Sequence, residues 1–243
     1  MRVLLASGGF GTAERRALLI RAMRRHFERV RRILFVPWAL PDHEGYLQSL
    51  CRAGLDAGFD LDGIHRHEDP VRAVEDAEAL YVGGGNSFLL AAWIHRCGIR
   101  EAVRRRVLEE GVPYLGVSAG TNAACPTIQT TNDMPVVQPP SFEAFGLVPF
   151  QVNPHYYPGR LLYRRGEELV EHFGETRDDR IREYHEHHDR PVVGLEESGL
   201  LWVGEGRVRL EAAPARLFRR GREPVDLAPG EEIPGLLEPA PAG

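Results

Sequence analysis

The stretch V-P-Y-L-G-V-S-A-G at residues 112–120 carries an apolar run straight into a serine set between Gly116 and Gly120. The apolar residues read as a buried strand, and the small residues around Ser118 let the backbone turn sharply into a helix. A G-x-S-x-G elbow of this kind lifts the hydroxyl to the edge of the sheet and sets the next backbone N–H beside it. The same short pattern also fits a plain strand-to-helix turn with an incidental serine. Neighbouring stretches decide between the two.

Upstream, A-L-Y-V at residues 79–82 is a second buried strand, ending in Gly83-Gly84-Gly85-Asn86-Ser87 before a helix that carries Phe88, Leu89, Leu90 and Trp93. A plain turn needs one glycine. Three allow backbone N–H groups to approach a ligand closely, at the edge where open α/β sheets bind their ligands. Ile99, Val103 and Val107 continue a helical stripe into the elbow. Nearer the start, residues 2–6 form a strand, followed by Ser7-Gly8-Gly9-Phe10-Gly11 and a helix whose Leu19, Met23, Phe27 and Val30 share one face. A dinucleotide site fails there, because Glu14 stands where a third glycine belongs and the strand at 33–36 ends in Pro37 rather than an acid. Residues 42–58 read as a helix and 59–64 as a strand. This alternation predicts an α/β fold with a mostly parallel central sheet flanked by helices.

Beyond the elbow, Pro126 and Pro135 interrupt a polar loop, and a strand at 148–152 leads to Asn153-Pro154-His155. Amphipathic helices are expected at 161–173 and 178–188, and a strand at 191–195 precedes Glu196 and Glu197. Residues 200–203 and 207–210 flank Gly204-Glu205-Gly206 as a C-terminal β-hairpin. Turns dominate from Pro214 onward, with a frayed tail at 238–243.

The length of 243 residues suits one domain, residues 1–243. A net charge of -5 offers no electrostatic footprint for nucleic acid. Every one of the 30 Lys+Arg residues is arginine, which removes Schiff-base chemistry and serine–lysine dyads. No signal-peptide pattern and no run of 18 apolar residues is present, so no membrane association and a cytoplasmic location are expected. Cys51, Cys97 and Cys125 are odd in number and lack C-x-x-C spacing, as reduced thiols would be. His65 and His67, with Glu68 and Asp69, read as a polar loop without the further ligands a metal needs, so no metal and no cofactor is expected.

A serine hydroxyl is a weak nucleophile until a base takes its proton, and the base in turn needs an acid to fix its tautomer. Of ten histidines, His155 follows a predicted strand and is held between Pro154 and two tyrosines. For the acid, Asp133 gives the order Ser, Asp, His but lies only fifteen residues past Ser118, whereas Glu197 and Glu196 follow a strand on the ligand edge. The serine, histidine and acid are expected together at the rim of one sheet.

These stretches resemble the peptidase E family, aspartyl dipeptidases of the serine peptidase group that also contains cyanophycinase. The similarity is carried by G-G-G-N at 83–86, S-A-G at 118–120, P-T-I-x-T-T-N-D-M-P at 126–135, P-F-Q-V-N-P-H at 149–155, G-E-T-R at 174–177 and V-V-G-L-x-E ending at Glu197. The resemblance implies a glutamine-amidotransferase-like fold and a triad of Ser118, His155 and Glu197, with Asp133 in support. It implies oxyanion donors at the backbone of Gly85 and Ala119, and substrate binding by Arg177, Asn86 and Asp133, the guanidinium gripping an aspartate side chain. A planar guanidinium suits a carboxylate because it offers two parallel donors. The implied substrates are short peptides with an N-terminal aspartate; a homo-oligomer is compatible with the sequence. Against the family pattern, residues 156–173 are longer and are expected to carry a helix. The rival functions are a cyanophycinase-like β-aspartyl peptidase, an esterase with the same elbow, and a non-catalytic binder of acidic metabolites.

Overall fold

Short apolar runs alternating with capped helices build the first half of the chain. In the computed structural model, which describes residues 1–238, β1 (Arg2–Ala6) leads to α1 (Ala13–His26), β2 (Arg32–Val36), α2 (His43–Arg52) and β3 (Asp60–Gly63). Then come α3 (Pro70–Asp76), β4 (Leu80–Val82), α4 (Ser87–Cys97), α5 (Arg100–Arg104), β5 (Tyr114–Val117) and α6 (Ala119–Ala124). Thr12, Asp42, Asp69 and Asn86 each accept a first-turn N–H, which is why these helices start where they do. Residues 239–243 of the expected tail lie outside the described residues.

The second half contributes β6 (Gln151–Tyr156), β7 (Leu162–Arg165), β8 (Glu168–Glu171), α7 (Arg177–His187) and β9 (Val192–Glu196). It ends in β10 (Leu200–Gly204), β11 (Arg207–Ala212), β12 (Ala215–Phe218) and β13 (Val225–Leu227). A seven-stranded sheet runs β11-β10-β1-β5-β4-β2-β3, and a four-stranded sheet runs β13-β12-β9-β6. The five strands β1, β5, β4, β2 and β3 are parallel, with β10 and β11 added antiparallel as the expected hairpin. One apolar core joins the two sheets, from Val3, Leu5 and Val82 through Ala123 and Phe150 to Val152, Val193 and Leu217.

The structure departs from the sequence-based expectation in five places. Residues 161–173 form the β7–β8 hairpin, not a helix: Gly166, at φ 64, opens a two-residue turn between paired Arg165 and Glu168. Glycine in the first position of such a turn supplies the positive φ that closes a hairpin. The helix expected at 42–58 stops at Arg52, and Gly54 and Gly58, at φ 70 and 90, turn the chain toward β3. Beyond Pro214, where the sequence suggests turns, the chain forms β12 and β13. The strand expected at 148–152 starts at Gln151 and continues through Pro154; β6 is an edge strand, where a missing N–H is tolerated. The carboxyl rim is built from two sheets, because the chain leaves the first sheet after the elbow and β6 pairs with β9 instead.

Beneath the elbow, His26 of α1 is 5% exposed and donates from Nε2 to the Tyr114 carbonyl of β5 at 3.0 Å. Burial pushes its pKa down to about 3. The unfolded chain therefore takes up a proton first as pH falls below the ordinary histidine value, and stability present at neutral pH is lost progressively toward pH 3. At pH 5 the expected loss from this group is about 2 kcal/mol. His26→Gln, which keeps a donor for Tyr114 but cannot titrate, should flatten the fall in melting temperature between pH 7 and pH 5.

Candidate active site

The elbow is strained as the sequence demands. Ser118 sits at φ 53, ψ -109, a conformation a non-glycine residue holds only when its surroundings fix it. A Cβ on Gly116 would lie 2.4 Å from the Gly120 carbonyl oxygen, and one on Gly120 would lie 2.1 Å from the Val82 carbonyl oxygen. Both glycines are thus required for the turn to pass beside β4. The Ser118 N–H donates to Ala6 O at 2.9 Å, and Ser118 O accepts from Thr121 N at 2.9 Å, fixing the turn from both sides.

The structure brings Ser118, His155 and Glu197 into one line. Ser118 Oγ lies 2.8 Å from His155 Nε2, and His155 Nδ1 lies 2.8 Å from Glu197 Oε1. His155 reaches this place through a β-bulge: Pro154 pairs with Leu195 and Tyr156 with Glu196, leaving His155 between them at φ 56. A bulge bends the strand and re-aims one side chain. Glu197 follows β9 directly. Its neighbour Glu196 lies beside Asp226 and Arg216, with burial and the Asp226 charge raising its pKa, and it does not meet His155.

Asp133 does not reach the imidazole either. Its carboxylate accepts from Ser87 N at 2.7 Å and from Thr131 Oγ1 at 3.0 Å, so it fastens the 131–134 loop to the start of α4. Asn86 is also occupied on both sides. Its Oδ1 accepts from Phe88 N and Leu89 N, and its Nδ2 donates to Met134 O at 2.9 Å. The sequence leads to the expectation that Asn86 binds substrate; in the structure its side chain caps α4 and holds the loop. Asp133 also lines a cavity of about 410 Å3 with Phe88, Ile128, Phe142 and Tyr184.

Gly85 and Ala119 flank the serine. Gly85 has φ 134, and a Cβ there would lie 2.4 Å from Ala39 O, so only glycine fits. Gly84 is also close to the nucleophile, a Cβ there lying 3.1 Å from Ser118 Cβ. Among the described residues, neither Gly85 N–H nor Ala119 N–H has a backbone acceptor outside the regular elements.

Arg177 stands at the start of α7, half-buried, with its guanidinium 5.2 Å from the centre of the Tyr157 ring. Its Nε is buried without a partner, and burial lowers its pKa. A cation at a helix N-terminus opposes the helix dipole. An unpaired guanidinium held there is a ready receptor for a carboxylate.

The first glycine turn is the feature the sequence left unassigned. A Cβ on Gly8 would lie 2.4 Å from His155 Cε1, and one on Gly9 would lie 2.3 Å from Glu197 Oε2. The signal was present: small residues at the carboxyl end of a strand, as at Gly83-Gly84-Gly85. The H-x-H pair has gone to separate carboxylates, His65 Nε2 to Glu44 at 3.0 Å and His67 Nε2 to Asp62 at 3.1 Å.

A mainly parallel sheet, a strained serine elbow and a Ser–His–Glu line of hydrogen bonds make the arrangement of an α/β serine hydrolase. The chain belongs to peptidase family S51, whose family model matches residues 3–211. It is 48% identical over 211 residues to a Streptomyces coelicolor protein named "Peptidase E", covering 85% of this chain and 82% of that one. It is 42% identical over 210 residues to a Drosophila melanogaster protein named "Probable alpha-aspartyl dipeptidase", covering 86% and 85%. A crystal structure of a peptidase from an acI-B1 Actinobacterium shares the fold, with a TM-score of 0.65 at 16% identity over 96% of each chain.

Asn86→Ala should lower stability by about 1 kcal/mol, or roughly 2–4 °C in Tm, through loss of the cap and the Met134 tether. A thermal melt checks this; a rise in KM without any loss of Tm would instead mean direct contact with substrate.

Proposed function

We propose that this chain is a serine dipeptidase that hydrolyses the bond after an N-terminal aspartate in short peptides. The observation that carries the proposal is the unbroken line from Ser118 Oγ through His155 to Glu197. His155 Nε2 takes the Ser118 proton as Oγ attacks the scissile carbonyl, and returns it to the departing amine as the C–N bond breaks. The aspartyl group is left as an ester on Ser118. Water, deprotonated by the same imidazole, then releases free aspartate. Glu197 holds Nδ1–H and so keeps Nε2 available as the base. The N–H groups of Gly85 and Ala119 receive the charge that develops on the carbonyl oxygen, where preorganised donors contribute most.

Arg177 selects the aspartate side chain. Support for this comes from its missing partner, its place over Tyr157, and the names of the relatives. Cytosolic action is supported by the free thiols of Cys51, Cys97 and Cys125. No helix among the described residues is long and apolar enough to cross a membrane.

Ser118→Ala should reduce kcat on Asp-Leu by roughly 10^5-fold or more while the melting curve is preserved. Unchanged turnover would exclude the acyl-enzyme route. Glu197→Gln should reduce kcat by about 10^4-fold, and Asp133→Asn far less, because only Glu197 faces the imidazole. Arg177→Ala should lower kcat/KM on Asp-X dipeptides by about a hundredfold, the worth of a charge-assisted pair. A panel of Asp-X dipeptides, β-Asp-Arg and simple esters tests the substrate class; turnover confined to either of the last two would replace it.

A further inference from the structure

Residues 6–9 touch all three members of the Ser118, His155 and Glu197 line, yet they lie more than a hundred positions away in sequence. Ala6 O accepts from Ser118 N at 2.9 Å and from Thr121 Oγ1 at 2.8 Å. Ser7 N donates to Gly199 O at 2.9 Å, and Gly8 O accepts from Ser198 N at 2.8 Å, so the turn after Glu197 is held at two points. Ser7 itself is 0% exposed. Its Oγ accepts from His155 N at 2.8 Å and donates to Leu195 O at 2.9 Å.

The bulge that aims His155 also removes its N–H from the strand ladder, and an unpaired buried N–H is unfavourable. The site must therefore supply an acceptor from outside the second sheet. It must also satisfy the Leu195 carbonyl, one position before the end of β9. A hydroxyl does both at once, because it is a donor and an acceptor in one atom. A backbone carbonyl from β1 could serve only the first.

We propose that Ser7 is a positioning residue for the proposed hydrolysis, its hydroxyl holding the His155 bulge against β1 so that the imidazole spans Ser118 and Glu197. The inference rests on the functional proposal above for its chemistry. Gly8 completes the jig, since the imidazole occupies the space its Cβ would take. Ser7 touches neither substrate nor reacting atoms. Its effect is on the angle and distance at which His155 meets its two partners.

Ser7→Ala is measured beside Val208→Ala, a buried β11 substitution remote from the site that serves as a stability control. Ser7→Ala should lower kcat on Asp-Leu by about tenfold to a hundredfold, as expected for misplacement of a reacting group. KM should stay within about twofold, because Arg177 and the oxyanion donors are untouched. Val208→Ala should leave kcat unchanged at a comparable drop in Tm. An independent readout is the far-downfield proton resonance of the His155 Nδ1–H shared with Glu197. It should be present in the unaltered protein and in Val208→Ala, and lost or displaced in Ser7→Ala.

A Ser7→Ala protein with unaltered kcat and an unaltered downfield resonance would overturn the proposal. So would losses matched by Val208→Ala at equal Tm, since the effect would then be general destabilisation. If Ser7→Ala does not fold, Ser7→Cys, which keeps the size of the side chain but is a weak donor and acceptor, should show the same kcat loss with KM retained; wild-type kcat there overturns the proposal. If the unaltered protein fails to turn over Asp-X substrates, the substrate assignment fails. The resonance comparison still decides the role of Ser7.

Discussion

The backbone of Ser118, held at φ 53, is the constraint on which the surrounding structure depends. A residue in that conformation relaxes unless it is fixed from several directions. Here the fixing groups come from three strands of one sheet. Ala6 of β1 takes the Ser118 N–H, Val82 of β4 packs against bare Gly120, and Tyr114 of β5 donates its hydroxyl to Gly120 O at 2.7 Å. The glycines are required by contact distances of 2.1 and 2.4 Å to carbonyl oxygens, which no side chain can share.

A second sheet then has to meet that elbow in register. Its strands β6 and β9 are parallel, so the ends of both point to the same rim and carry His155 and Glu197 there together. The join is polar as well as apolar. Asn122 Nδ2 and Thr130 Oγ1 both donate to Val152 O, at 2.9 and 2.8 Å, while Asn132 Nδ2 donates to Pro154 O at 2.7 Å. The loop at 130–134 therefore braces the bulge on one side and, through Asp133 and Ser87, the glycine turn on the other. Two motifs that look unrelated along the chain are halves of one scaffold.

Legibility followed the range of the forces involved. The elbow and the triple glycine could be read because close backbone approach excludes side chains wherever the residues end up. The hairpin at 162–171 resembles a helix in sequence because Leu162, Leu169 and Val170 satisfy a helical spacing about as well as a strand pairing. Gly166 decides the matter only once its positive φ is seen. Strands β12 and β13 are short, and the pairing of β12 with β9 and of β13 with β12, rather than intrinsic preference, makes them strands.

The amino-acid sequence by itself determined the alternating layers, the strained serine and the set of residues able to serve it, since periodicity, glycine and chemistry are local properties. Folding in three dimensions decided which carboxylate meets His155, that Asp133 and Asn86 hold the 131–134 loop to α4, that the Ser7 hydroxyl meets the His155 backbone N–H, and that Gly8 lies against the imidazole. Those outcomes depend on which strand pairs with which. Hydrogen bonds a few ångströms long between residues such as Ser7 and Leu195, 188 positions apart, have no local signature.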